Sequence, residues 1–191
     1  MIDPNSLIGE NVCLSGGADG ADLQWGMCAG LLGHFVIHWG FDNMKSQAPE
    51  IEIARLSRET LSESDIFCLE ASKSLGRKFP STSQYVNDLL RRNYFQVRWA
   101  ESLYAVGIRR ESKIAGGTAW AVEMYKNRFL FPENLYFFDQ ETNQWLEGVN
   151  FKPIDSPPVP RGIWAGIGTR KLNDNGKMAI RKLMSYVKPN A

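Results

Sequence analysis

Three short stretches of this chain place glycines between an apolar run and a helical pattern: SGGADGAD (Ser15 to Asp22), AGGTAWAVE (Ala115 to Glu123) and GIGTR (Gly166 to Arg170). The chemistry open to such joints is anion binding. Backbone N–H groups at a helix start have no intrahelical partner, and the helix dipole adds partial positive charge there. Glycine lets the backbone approach a ligand closely and adopt positive φ. Ser15, Gly16, Gly17 and Gly20, with Asp19 at the turn, form the first loop. Gly116, Gly117 and Thr118 form the second, and Gly168 and Thr169 the third, where Arg170 adds a guanidinium able to grip phosphate in a bidentate way. One glycine turn is weak evidence. Three on one edge of a sheet make a phosphate-bearing ligand the leading reading.

These joints need elements that bring them together. Asn11 to Ser15 reads as a short buried strand, and Ala21 to Leu32 as a helix on the spacing of Leu23, Met27, Leu31 and Leu32, stopped at Gly33. HFVIHWGF reads as a second strand. Strand, glycine turn, helix and strand within about 30 residues is the rhythm of a βαβ unit, which implies a parallel sheet with right-handed crossovers. The spacing of Leu56, Leu61, Ile66 and Leu69 predicts a helix from Arg55 to Leu69, and Ser81 can cap another running to about Ser102. LYAVGI (Leu103 to Ile108) predicts a strand and the segment from Thr118 a helix. NLYFFD and QWLEGVNF predict a hairpin around Gln140 to Asn143. After the proline-rich connector DSPPVPRG come a strand and a helix from about Asn173. The expected fold class is α/β, Rossmann-like, with a mainly parallel sheet flanked by helices. A single domain over 1–191 is expected, the strand and helix of 162–188 joining the same sheet. In such sheets ligands bind beyond the carboxyl ends of the strands.

Composition narrows the function. The chain has 191 residues, 43% of them hydrophobic, and a net charge of +1. Near-neutral charge argues against nucleic acid and against an anionic membrane as partner. Cys13, Cys28 and Cys68 are odd in number with no CxxC pair, which argues against a disulfide framework or a structural zinc. The start MIDPNSLIGE shows no basic-then-apolar leader, and no apolar run approaches the roughly 18 residues needed to cross a bilayer. A cytoplasmic protein is the expectation. No cofactor and no metal are implied: His34 and His38 share a strand face but have no third ligand nearby, and His38 is the better pocket candidate.

SGGADGAD after a strand, followed later by GGTAWAVE, resembles the SLOG superfamily, the Rossmann-like group that includes lonely-guy phosphoribohydrolases and the DNA-processing protein of natural transformation. The match is carried by Ser15, Gly16, Gly17, Ala18, Gly20, Ala21 and Asp22. Gly116, Gly117 and Glu123 fit the lonely-guy spacing, whereas Ala119 and Trp120 stand where that motif has glycine and threonine. GIGTR looks like the GIGSR signature that usually opens such chains. Its late position is accounted for most simply by circular permutation. The matching segments cover about half the chain.

The resemblance implies a pocket for a nucleotide or a nucleotide-derived molecule, and assembly as a dimer or larger homo-oligomer. Within that reading, Asp22 accepts a ribose hydroxyl or caps its helix. Glu123 faces the pocket as ribose ligand or acid/base, or else is an ordinary ion-paired helix glutamate. Trp120 stacks on a base or belongs to the core. Cys13 is expected to be an inert buried thiol, and the basic run GIRRESK either flanks the phosphate site or is a solvated loop. Two functions follow. One is a sensor or sequestering sponge for an ADP-ribose-like or cyclic nucleotide signal, a cyclic ADP-ribose species in an anti-defence setting being one example. The other is a nucleotide N-glycosidase. The altered glutamate motif favours binding.

Overall fold

Apolar runs too short to be helices, set between glycines and helical segments, build a doubly wound sheet. The computed structural model describes residues 3–7, 9–128, 132 and 134–185. Its strands are β1 (Val12–Ser15), β2 (Phe35–Phe41), β3 (Ile53–Leu56), β4 (Ser102–Gly107), β5 (Arg109–Arg110), β6 (Lys113–Ile114), β7 (Leu135–Asp139), β8 (Gln144–Glu147), β9 (Lys152–Ile154) and β10 (Ile163–Gly168). Its helices are α1 (Ala21–Leu31), α2 (Arg58–Ser62), α3 (Asp65–Leu75), α4 (Gln84–Val97), α5 (Thr118–Asn127) and α6 (Asp174–Ser185). Eight strands form one sheet in the order β3-β2-β1-β10-β4-β7-β8-β9, and β5 and β6 make a separate small hairpin. The first six of that order are parallel, while β8 and β9 extend the sheet antiparallel.

Helices cover both faces, so the strands are apolar on both. Alternation along each strand assigns the sides. Cys13, Tyr104, Val106 and Trp164 pack with α1 and α6, whereas Leu14, Leu103, Ala105 and Ala165 pack in the cluster under α3, α4 and α5. Fully burying each such aliphatic side chain stabilises the fold by about 1.5–3 kcal/mol. The crossover from β1 runs through α1 to β2 on one side. That from β4 runs through α5 to β7 on the other. The winding therefore reverses between β1 and β4, and β10 lies in that gap, paired with both.

Several expectations need correction. The predicted helix over 55–69 is instead strand β3, then α2, then α3. Ser57 ends the strand and caps α2 by accepting the Thr60 N–H. The periodicity misled because Ile66 and Leu69 are exposed; Cys68 and Ala71 are the core residues of α3. Ser83, rather than Ser81, caps α4, which ends at Val97 instead of near Ser102. Strand β9 was not expected at all. Of the C-terminal segment 162–188, residues 186–188 lie outside the described residues.

Candidate ligand-binding site

A cavity of about 690 Å³ opens at the carboxyl edge, beside the reversal point. The β1 loop contributes Ala18 and Asp22, the β10 loop Gly168 to Lys171, and the segment after β4 Ile108 and Ala115 to Thr118. Helix α4 supplies Leu89, Leu90, Arg92, Asn93 and Gln96, and the loop after α3 supplies Arg77 and Lys78. Trp120, from α5, completes an apolar wall. Among its described lining residues five carry positive charge (Arg77, Lys78, Arg92, Arg170 and Lys171), and Asp22 is the one carboxylate.

Asp22 is already engaged. It is 4% exposed. Its Oδ1 accepts the Gly168 N–H at 2.9 Å, and its Oδ2 accepts from Gln96 at 3.2 Å and from the Arg92 guanidinium at 3.3 Å. It does not cap its helix; it ties the β1 loop, the β10 loop and α4 together. Burial pushes its carboxyl up, against the pull of Arg92 and the Gly168 N–H. Burial likewise lowers Arg92, against Asp22. Arg92 also donates to the Gly16 carbonyl at 2.6 Å, so one guanidinium fixes both the carboxylate and the loop backbone.

The first loop is shaped by what glycine permits. A Cβ on Gly16 would overlap the side chains of Gln96, Asp22 and Arg92. Gly20, at φ +98°, lies against the Thr169 carbonyl and the Arg170 backbone. The Ala21 N–H donates to that Thr169 carbonyl at 3.0 Å, which holds the first and third loops side by side. Among the described residues, the N–H groups of Gly17, Ala18, Asp19 and Gly20 donate to no protein acceptor, nor do those of Gly116, Gly117 and Thr118. The third loop's amides are more occupied, since Gly168 N–H meets Asp22 and Thr169 N–H meets the Val106 carbonyl.

Other expected residues lie elsewhere. Ser15 is fully buried, and its hydroxyl donates to the Gly166 and Asp22 carbonyls at 2.6 and 3.0 Å, so it cannot reach a ligand. Asp19 is exposed at the loop tip, outside the cavity. His38 is buried beneath the loop, against Gly17 and Gly26. Burial, then the nearby Arg92, lowers its pKa to about 4, so the ring is neutral; its 3.6 Å approach to Glu52 is neither an ion pair at neutral pH nor a hydrogen bond. His34 accepts the Trp164 indole N–H. Glu123 does not line the cavity; it pairs with Lys126 at 3.0 Å. Trp120 is 5% exposed and tilted against Phe79, a core residue with an edge on the cavity. Of the run GIRRESK, Arg109 lies over the Phe151 ring and Arg110 pairs with Glu141, so neither charge enters the cavity.

The sequence reading missed Arg77, Lys78, Lys171 and the α4 triplet Arg92, Asn93 and Gln96. The triplet had a faint signal, because positions 92, 93 and 96 share one helical face. Arg77 grips the second loop, donating to the Gly116 and Ile114 carbonyls at 2.8 and 2.9 Å.

No protein-family model and no curated protein matches the sequence. A solved structure does match the fold: a crystal structure from Syntrophus aciditrophicus SB, provisionally named a molybdenum carrier protein. It superposes with a TM-score of 0.55 at 12% identity, covering 92% of this chain and 93% of the other. That likeness establishes the shared α/β architecture. Among the described residues no helix is long and apolar enough to cross a membrane.

Proposed function

We propose that this protein binds a nucleotide or nucleotide-derived small molecule at the carboxyl edge of its sheet and holds it unchanged, as a sensor or sequestering module. The carrying observation is the charge of the cavity: beside the mutually paired Asp22 and Arg92, the described lining holds four further cations (Arg77, Lys78, Arg170 and Lys171) and no further carboxylate. The unpaired amides of the lining residues Ala18, Gly116, Gly117 and Thr118 add anion-binding capacity. The apolar wall of Leu89, Leu90, Ile108 and Trp120 suits a base, and a volume of about 690 Å³ suits an organic ligand better than a bare oxyanion. The structural neighbour's name, a molybdenum carrier protein, is in keeping with the binding of a small ligand. The SLOG resemblance supports the nucleotide class and an oligomeric assembly, which light scattering would test.

Native mass spectrometry of freshly purified protein tests the reading directly by looking for a retained nucleotide. In calorimetry, Arg170→Ala should weaken nucleotide binding by about 1.5–3 kcal/mol, the usual size of a charge-assisted hydrogen bond. Wild-type affinity in that variant would place the ligand elsewhere. The N-glycosidase alternative loses its candidate acid/base, because Glu123 is ion-paired outside the cavity. Glu123→Gln should leave nucleotide affinity within about twofold, and wild type should release no free base. Release of base by wild type but not by this variant would restore the enzyme reading.

A further inference from the structure

Helix α4 brings to the cavity two side-chain amides that the charge of the site does not account for. Asn93 and Gln96 both line it, and both are nearly buried, at 7% and 1% exposure. Three residues apart, they share one face of the helix, with β-carbons about 5–6 Å from each other. The protein settles which way each amide is turned. Gln96 donates its Nε2 to the Asp22 carboxylate at 3.2 Å, and Asn93 donates its Nδ2 to the Gly117 carbonyl at 3.4 Å. Only the nitrogen end of an amide can donate, so both oxygens face elsewhere. Asn93 Oδ1 and Gln96 Oε1 accept no hydrogen bond from any described residue. Neither oxygen is sealed off as the unpartnered Arg92 Nε is, so the surface each one keeps belongs to the cavity. A structural tie does not explain the pair. The Asn93 bond lies at the long limit for an N–H···O contact, and an apolar side chain there would leave no buried carbonyl oxygen to satisfy.

We propose that Asn93 and Gln96 are specificity-determining residues, whose amide oxygens accept hydrogen bonds from donor groups on the uncharged part of the ligand. The proposal rests on the nucleotide reading and says which part of the molecule α4 recognises. An ionised phosphate offers acceptor oxygens, so it cannot satisfy a second acceptor; cations and loop amides are its partners. The donors of a nucleotide are its ribose hydroxyls and the amino or N–H groups of its base. Ligand entry displaces water from the two amide oxygens, and a ligand with no donor there leaves nearly buried acceptors unpaired. A site built on such polar groups rejects an analogue lacking one hydroxyl or amino group far more strongly than an apolar surface does. The ligand is therefore a nucleotide with free ribose hydroxyls or a free base amino group against α4. A form in which that group is deleted or esterified is disfavoured.

Calorimetry with group-deleted nucleotides tests this and separates the two sources of donors. Adenosine, guanosine and cytidine 5′-monophosphates are titrated into the purified full chain beside their 2′-deoxy and 3′-deoxy forms, which remove one hydroxyl. The 5′-monophosphates of purine riboside, inosine and pyrimidin-2-one riboside remove the amino group instead. For the tightest-binding monophosphate, at least one deletion should weaken binding about tenfold or more. Asn93→Leu and Gln96→Met each remove one amide at similar size. In at least one of them the same deletion should cost no more than about twofold, because the acceptor it served is gone. A purely structural role lowers the affinity of every ligand by one factor and leaves that ratio untouched. In wild type, the side-chain amide NMR signals of Asn93 and Gln96 should shift with the intact nucleotide and much less with the deleted one, a readout that needs neither variant to fold. Deletions that all stay within about twofold in wild type, or a ratio unchanged in both variants, overturn the proposal while leaving the nucleotide reading intact. No binding of any monophosphate overturns both.

Discussion

Replacing Asp22 by asparagine preserves the shape of the side chain and removes its charge, which makes it a sharp test of the contact joining the first and third loops to α4. The amide oxygen can still accept the Gly168 N–H, but its nitrogen then faces the Gln96 and Arg92 donors that now meet Oδ2. Arg92, 5% exposed, keeps the Gly16 carbonyl and loses its counter-charge. Breaking a buried ion pair from one side costs about 3–5 kcal/mol, because the remaining charge stays desolvated. For a domain of this size each kcal/mol lowers Tm by about 2–4 °C, so Asp22→Asn should melt about 6–20 °C below wild type. Arg92→Met should cost less: burial already favours the neutral Asp22 carboxyl, which can take up a proton. The double variant should be less destabilised than the two single losses added, by about 0.5–3 kcal/mol of coupling. Chemical denaturation of the four proteins closes the cycle. An Asp22→Asn protein within about 1 kcal/mol of wild type, or strict additivity, would refute the claim that this pair organises the site.

Two further outcomes are expected. His38 is neutral in the folded protein with a pKa of about 4, whereas the unfolded chain takes up a proton below the ordinary 6.5. Its contribution is thus complete above pH 6.5 and is lost as pH falls towards 4, by about 3 kcal/mol over the window. His38→Gln should flatten the pH dependence of Tm there, leaving a residual slope from His34, also lowered by burial; equal slopes for variant and wild type would contradict this. Gly16→Ala forces a methyl group into the Asp22, Arg92 and Gln96 side chains, so a loss of about 1–3 kcal/mol is expected in a thermal melt, and a melt like that of wild type would show the loop to be looser than described.

Most of the sheet was legible because its strands announce themselves locally. Val12 to Leu14 and Ser102 to Gly107 are apolar runs closed by glycine, and Gly33, at φ +75°, ends α1 as its position implied. The glycine loops were legible for the same reason. What hid was the polar floor. Arg92 meets Gly16 across 76 residues and Asp22 across 70, and Gln96 meets Asp22 across 74. No local pattern separates a buried arginine with such partners from one facing water. Ser15 erred the other way: its motif pointed to a ligand, but the hydroxyl is taken by the Gly166 carbonyl of the adjacent strand and the Asp22 carbonyl of α1. Strand β9 escaped because Lys152 to Ile154 is three residues long with a proline inside, a composition tolerated at the sheet edge it occupies.

The strand that closes the middle of the sheet reaches the ribosomal exit last. Both of its neighbours are made earlier, β1 by residue 15 and β4 by residue 107, whereas β10 begins at residue 163. Until it arrives, two half-sheets each present an unpaired inner edge, and pairing those edges directly would give a wrong register with nothing to insert. Such long sequence separations slow folding, and exposed edges in a waiting intermediate favour association between chains. Nascent chains stalled before residue 163 should therefore be protease-sensitive and prone to aggregate, and protection should arise in one step once β10 has cleared the tunnel. The same step would create the site, because Gly168, Thr169 and Arg170 arrive with that strand.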